Sequence, residues 1–156
     1  MKDLQRQFDE EKSWVARWQM IKANPLLATK NNYDNEKDSD VRREMIRSNQ
    51  LLATQSNYDK DENIKVRCEI IKINPSLSKQ SNYNNEKECN VRCAMIKANK
   101  LLATQDNFNN EKDWLVRCTI IIANPLLANQ ANYDKEEEWK VCHRMKEVNP
   151  LINTKN

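Results

Sequence analysis

The sequence predicts an all-α protein, an α-solenoid of six 25-residue repeats that together form one domain over residues 1–156. Three observations lead to this prediction. Several residues recur at intervals of 25 positions, a period typical of solenoids. Within each repeat, the apolar residues follow helical spacing. The chain contains no glycine, which argues against folds that need tight hairpins or phosphate-binding loops.

The repeats occupy residues 7–31, 32–56, 57–81, 82–106, 107–131 and 132–156. An aromatic residue lies near the start of each: Phe8, Tyr33, Tyr58, Tyr83, Phe108 and Tyr133. An aliphatic residue lies near the end: Leu27, Leu52, Leu77, Leu102, Leu127 and Ile152. One such repeat buries little surface alone, so each copy is expected to pack on the next.

Each repeat is predicted to contain one longer helix followed by one short helix of α or 3-10 type. In the third repeat, Asp59 is a candidate N-cap, and the longer helix is expected over residues 61–73. Asn74 is expected to end this helix because a residue before proline avoids the α region. Pro75 then suits the first position of the short helix. Asn82, which opens the next repeat, is expected in the left-handed turn that glycine would otherwise serve.

Composition and charge narrow the possible environments. The net charge of +3 is small for a dedicated nucleic-acid binder. The five cysteines are an odd number, the N-terminal residues show no apolar signal segment, and no apolar run is long enough to cross a membrane. We therefore expect a cytoplasmic protein with free thiols, in which a monomer is favoured.

The repeated strings resemble a known family. VRCEIIKINPSL, VRREMIRSNQLL and VRCAMIKANKLL are similar to leucine-rich repeat variant sequences, which carry a Val-Arg pair, two apolar positions and an Asn-Pro. That family is in turn similar to HEAT repeats. The resemblance covers residues 7–156 and implies a right-handed superhelix of alternating α and short, often 3-10, helices. The repeats here are one residue longer than the usual unit of that family and lack the second proline that often follows its Asn-Pro. They also lack the clustered cysteines that hold an iron–sulfur cluster in one member, so no cofactor is expected.

An arginine recurs in five repeats: Arg17, Arg42, Arg67, Arg92 and Arg117. An acid lies four residues earlier in three of them, as Asp38, Glu88 and Asp113, on the same expected helix face. The arginines suit either a guanidinium ladder for an anionic ligand or a structural ladder that links repeats through acids and carbonyls. The structural interpretation is favoured. It extends to the recurring asparagines Asn24, Asn49, Asn74, Asn99, Asn124 and Asn149.

No catalytic or metal-binding residue is predicted. Cys68, Cys93, Cys118 and His143 share one helix position. Equivalent positions on stacked helices lie about 8–10 Å apart, whereas zinc needs each sulfur at about 2.3 Å. The cysteines are therefore expected to fill the core. The carboxylates recur with the period, whereas catalysis needs one site, so an enzyme is not expected.

Tryptophan and basic positions provide the candidate partner-binding residues. Trp14, Trp114 and Trp139 share a helix position and suit either plugs for the end repeats or aromatic anchors for a partner. Lys22, Arg47, Lys72 and Lys97 share another position, where Ile122 and Glu147 follow in the last two repeats. This basic position suits either a solvated face or a binding stripe.

The sequence predicts a non-enzymatic scaffold that binds another protein or a peptide, of acidic character if the basic stripe is used. The alternative is a nucleic-acid-backbone binder that uses the basic face of the solenoid. That alternative is weaker because acidic and basic residues balance within each repeat, and phosphate affinity depends on net cationic contacts.

Overall fold

Helices account for 74% of the residues. The computed structural model describes residues 2–154, and all regular secondary structure in that range is helical. The predicted all-α fold is therefore confirmed, with helices in consecutive packed pairs as in a helical-repeat solenoid. The helices form two compact units, one within residues 1–77 and one within residues 78–156. The predicted domain over 1–156 also includes Met1, Lys155 and Asn156, which lie outside the described residues, and its being a single domain stays a prediction.

Within residues 2–77, the first unit contains six α-helices and three 3-10 turns. The α-helices are α1 (Lys2–Glu10), α2 (Trp14–Ala23), α3 (Lys30–Asn35), α4 (Ser39–Ser48), α5 (Gln55–Lys60) and α6 (Ile64–Ile73). The 3-10 turns are Pro25–Leu27, Gln50–Leu52 and Pro75–Leu77. The longer helices α2, α4 and α6 pack side by side in chain order.

The second unit repeats the arrangement. Its α-helices are α7 (Gln80–Asn85), α8 (Cys89–Ala98), α9 (Gln105–Asn110), α10 (Trp114–Ala123), α11 (Gln130–Lys135) and α12 (Trp139–Val148). Its 3-10 turns are Lys100–Leu102 and Pro125–Leu127, and a plain turn at residues 150–151 follows α12. The longer helices α8, α10 and α12 pack in chain order.

A short helix at the start of each repeat was missed, and the longer helix begins later than predicted. In the third repeat, Asn63 is the N-cap of α6, since its Oδ1 accepts from the backbone N–H groups of Lys65 and Val66. Asp59 lies inside α5 instead, and Asp61 caps the C-terminus of α5. Asp59 resembles an N-cap in the sequence, and Asp61 was expected in the first turn of the longer helix, but the carboxylate of Asp61 is used in a contact between repeats.

The predicted left-handed turn at Asn82 is wrong. Asn82 lies inside α7, and no residue of the described range has a positive φ. The chain reverses through a 3-10 turn followed by an extended residue, such as Thr54 with φ −109° and ψ 160°. These conformations suit residues with a side chain, which explains how the fold forms without glycine.

The core lies along the longer helices. In α6, Val66, Ile70 and Ile71 are fully buried, whereas Ile64 and Cys68 are half-buried. Each 3-10 turn adds one buried aliphatic residue, such as Leu52, and each short helix adds one buried aromatic residue, such as Tyr58. The residues that recur at 25-residue intervals are thus the ones that pack each repeat.

Candidate functional site

The recurring arginines bind acids of the following repeat. In Arg42, Nε donates to Asp61 Oδ2 at 2.7 Å and Nη2 donates to Asp61 Oδ1 at 3.1 Å. Its Nη1 donates to the carbonyls of Glu36 and Lys37 in the loop before its own helix. Equivalent ion pairs join Arg17 to Glu36, Arg92 to Glu111 and Arg117 to Glu136. The guanidinium groups thus link neighbouring repeats within each unit.

The acids expected to pair with these arginines lie at the N-termini of the longer helices instead. Asp38 and Asp113 are the N-caps of α4 and α10, and each accepts from two backbone N–H groups of its own helix. Glu88 precedes α8 at the same position. The acids that the arginines do bind lie two residues earlier, at the ends of the short helices. Since those helices were missed, this pairing could not be predicted.

Two tyrosines extend the arginine–acid contacts. The Tyr33 hydroxyl donates to Asp61 Oδ2 at 2.9 Å, and the Tyr83 hydroxyl donates to Glu111 Oε2 at 3.0 Å. Burial raises the pKa of both phenols, and the neighbouring carboxylate raises it further. Both hydroxyls therefore remain protonated donors well into the alkaline range.

The recurring asparagines link repeats at the 3-10 turns. Asn49 Oδ1 accepts from the N–H of Leu51, while its Nδ2 donates to the carbonyl of Ala28 in the preceding repeat at 2.7 Å. The same donation joins Asn74 to Ala53, Asn99 to Ser78, Asn124 to Ala103 and Asn149 to Ala128. These contacts satisfy backbone carbonyls that the turns leave open.

A third set of contacts, between glutamine and asparagine, was not predicted. Gln80 and Asn107 exchange hydrogen bonds through both amides, at 2.8 and 3.1 Å. The same exchange joins Gln105 to Asn132 and Gln5 to Asn32. The signal was present in the sequence, because both residues recur with the 25-residue period.

Lys30 interrupts this set. It occupies the glutamine position and contacts Asp34 of its own helix instead. The Asn57 side chain, which is 1% exposed, is left with an Oδ1 that has no hydrogen-bond partner. A buried acceptor in this state costs stability.

The recurring cysteines lie in or near the core. Cys93 and Cys118 are buried, and burial raises the pKa of both thiols. The Thr119 hydroxyl donates to Cys93 Sγ at 3.4 Å. Among residues 2–154, no group of three or more His, Cys, Asp or Glu side chains is placed to hold a metal ion.

The candidate basic residues are exposed, but several already contact other side chains. Lys22 lies over the Trp18 ring at 4.4 Å. Arg47 donates to Glu69 at 2.8 Å, and the Lys72 ammonium lies 3.7 Å from the same carboxylate. In the first unit, one buried acid thus partly neutralises two of the three basic residues. Lys97, in the second unit, is exposed.

The three candidate tryptophans are all exposed. Trp139 is the most accessible, at 67%, and Trp14 and Trp114 are also exposed. The ammonium of Lys140 lies 4.0 Å from the Trp114 ring centroid and 5.9 Å from that of Trp139. Their exposed ring surface leaves them as candidate anchors, although Trp114, at 38% exposed, lies largely against the protein.

The most exposed large apolar side chains of residues 2–154 lie in the turns that follow the longer helices, four of them in 3-10 turns and Leu151 in a plain turn. They were not singled out from the sequence. They are Leu26 and Leu51 in the first unit, and Leu101, Leu126 and Leu151 in the second, each 70 to 88% exposed. In each case the next residue is buried: Leu27, Leu52, Leu102, Leu127 and Ile152. Two adjacent apolar residues in the sequence could have indicated this exposure, because neighbours in so tight a turn cannot both face the core. We name these five exposed leucines the leucine row.

Open clefts recur beside the short helices. One is lined by Tyr33, Glu36, Arg42, Asn57 and Asp61, and equivalent residues line the others. Arg42 and Asp61 in this lining already bind each other, so neither charge is free for a ligand.

Comparison of the chain with protein-family models, with curated proteins and with solved structures finds no match. Within residues 2–154, no helix is both long and apolar enough to span a membrane.

Proposed function

We propose that this protein is a non-enzymatic helical-repeat scaffold that binds another protein or a peptide through the three leucines of the leucine row in its second unit, Leu101, Leu126 and Leu151. The observation that supports the proposal is the exposure of leucine at the same turn position in five of the six repeats. A leucine left in water forgoes about 1.5–3 kcal/mol that burial would supply. Single exposed leucines are ordinary, but apolar residues that recur on one side of a repeat favour a binding surface.

The scaffold itself supports such a role. The asparagine contacts hold the 3-10 turns against the preceding repeat, and the arginine and glutamine contacts join the helices of neighbouring repeats. A partner therefore meets leucines on backbone that is already ordered, and binding costs little conformational entropy. Because the leucines follow one another by whole repeats, an extended or helical segment suits them better than a small molecule.

The arginine position carries no ligand-binding role in this proposal. In Arg42, Nε, Nη1 and Nη2 all donate within the protein, and the side chain is 16% exposed. An anionic ligand would have to displace Asp61. The membership of the leucine-rich repeat variant family, the cytoplasmic location and the acidic character of the partner stay predictions.

An affinity capture compares the wild-type chain with two variants in extracts of the source cells. Leu101→Glu/Leu126→Glu alters the leucine row, and Lys112→Glu/Lys135→Glu is the control, since both lysines are exposed beside the clefts. We expect the leucine variant to lose proteins that the wild type and the control retain. Equal recovery by all three chains would contradict the proposal.

The nucleic-acid alternative is tested by gel shift at two salt concentrations. Backbone binding depends steeply on salt and would weaken when a lysine of the basic position is replaced. A shift that is lost in Lys97→Glu and kept in Leu101→Glu/Leu126→Glu would favour that alternative.

A further inference from the structure

The second unit carries three leucines of the leucine row and a graded line of charge beside them. Leu101, Leu126 and Leu151 are 84 to 88% exposed. Four residues before each leucine lies the last-turn residue of a longer helix: Lys97, Ile122 and Glu147. Ile122 is 56% exposed, and Lys97 and Glu147 are exposed. From the first of these repeats to the third, the surface changes from basic through apolar to acidic.

We infer that this face of the second unit binds the same face of a second copy of the chain in antiparallel orientation. The inference rests on the proposed function and names one occupant of the leucine row. A twofold interface requires that a surface complement itself, so that residue i contacts j and j contacts i. A basic–apolar–acidic line meets that condition only when one copy is reversed.

In this arrangement Ile122 and Leu126 lie at the twofold axis and meet their own equivalents. Lys97 of each copy faces Glu147 of the other, and Leu101 faces Leu151. Helices α8, α10 and α12, which carry the three residues of the charge line, pack consecutively. All the residues involved therefore belong to one compact unit. Like charges would oppose each other in the parallel arrangement.

Glu147 retains capacity for such a contact. Arg144 lies 2.7 Å from its Oε2 and His143 lies 3.5 Å from its Oε1, but the side chain is still 46% exposed. Arg144 lies three residues before Glu147 and can pair with it. The residue three before Lys97 is Ala94, which carries no charge. The opposing contact therefore gives Lys97 an acidic partner that its own helix lacks at that position.

The contact should be weak. Three leucines and one isoleucine form a patch of only a few hundred Å², below the size of stable dimer interfaces. A dissociation constant on the order of 100 µM is expected. The face is then covered at high concentration and open to a tighter heterologous partner at low concentration.

Sedimentation equilibrium of the purified chain is the test. The weight-average mass should rise from 18.5 kDa toward about twice that value as concentration increases through the dissociation constant. Leu126→Glu should leave the chain monomeric, while Leu51→Glu, at an equally exposed position in the first unit, should leave association unchanged. Far-ultraviolet circular dichroism checks that both variants remain folded.

A charge exchange tests the antiparallel orientation. Lys97→Glu and Glu147→Lys should each weaken self-association by at least about tenfold, because like charges then oppose each other twice. An equimolar mixture of the two variants should associate at near the wild-type level, since both contacts between unlike copies are again opposite in sign. Both effects should shrink in about 1 M salt.

Three results would overturn the inference: a monomeric wild type at all concentrations, equal effects of Leu51→Glu and Leu126→Glu, or a mixture no stronger than its components. None of these results changes the outcome of the affinity capture described above, because that experiment detects heterologous partners. A monomeric chain that still loses partners in Leu101→Glu/Leu126→Glu would retain the proposed function and reject the second copy as occupant.

Discussion

The guanidinium of Arg42 and the carboxylate of Asp61, in adjacent repeats, form a two-point ion pair at 2.7 and 3.1 Å. Asp61 also accepts from the Tyr33 hydroxyl and from the backbone N–H of Asn63. Its side chain is only 3% exposed. One carboxylate therefore joins the end of α5, the start of α6 and the preceding repeat.

Arg42→Ala should lower the free energy of unfolding by roughly 1–3 kcal/mol, because it leaves the buried Asp61 carboxylate without its charged donors. Urea denaturation measures the change. Arg6→Ala is the matched control, since Arg6 lies 3.9 Å from Asp3 in an exposed pair, and its loss should have almost no effect. Equal stability of Arg42→Ala and wild type would show that the ladder does not hold the repeats together.

Tyr33→Phe should change how stability depends on alkaline pH. The folded state raises the pKa of Tyr33 above its ordinary value of 10.0 and keeps the proton, whereas the unfolded chain releases it near that value. The contribution is thus fully present below about pH 10 and is lost as pH rises above it. Denaturation at pH 8 and pH 11 should show a smaller alkaline loss in the variant. An identical loss in both proteins would argue against this effect of Tyr33.

Lys30→Gln should stabilise the first unit by up to about 1 kcal/mol, because a glutamine at this position can bind the unpartnered Oδ1 of Asn57. Gln5 and Gln80 make the equivalent contact in other repeats. The control is Lys30→Ala, which also removes the Asp34 contact but adds no amide. Thermal melting should rank the glutamine variant above both other proteins; an alanine variant of equal stability would contradict the explanation.

Lys79→Thr should stabilise the second unit by about 1 kcal/mol. Thr54 and Thr104 accept from backbone N–H groups of α5 and α9, whereas Lys79 makes no side-chain hydrogen bond at the N-terminus of α7. The reverse change, Thr104→Ala, should cost a similar amount. Chemical denaturation of the two variants measures both changes in the free energy of unfolding. An unchanged stability of Lys79→Thr would mean that α7 needs no cap.

The periodic residues predicted the repeat and most of its packing. Asn74 ends α6 and Leu77 is buried in the following turn, because local capping and burial fix both roles. The short helix α5 escaped prediction because its six residues carry a single buried aromatic, Tyr58, and so show no helical periodicity. Asp61 was expected at the start of the longer helix. Its partner Arg42 lies in another repeat, and such tertiary contacts leave no local signal.

The candidate surface was predicted less well than the fold. The basic position is exposed as expected, but Glu69 pairs with Arg47 from a neighbouring helix, which spacing within one helix could not reveal. The exposed leucines were overlooked because Leu51 and Leu52 look equally apolar in a sequence. Only the geometry of the 3-10 turn determines that the second is buried and the first is not.

Hydrogen–deuterium exchange of the chain, alone and bound to a captured partner, shows which segments the partner covers. The proposed function predicts that binding slows exchange in the turns Lys100–Leu102 and Pro125–Leu127 and at the ends of α8 and α10. Protection confined to the short helices α7, α9 and α11, with both turns unchanged, would contradict it.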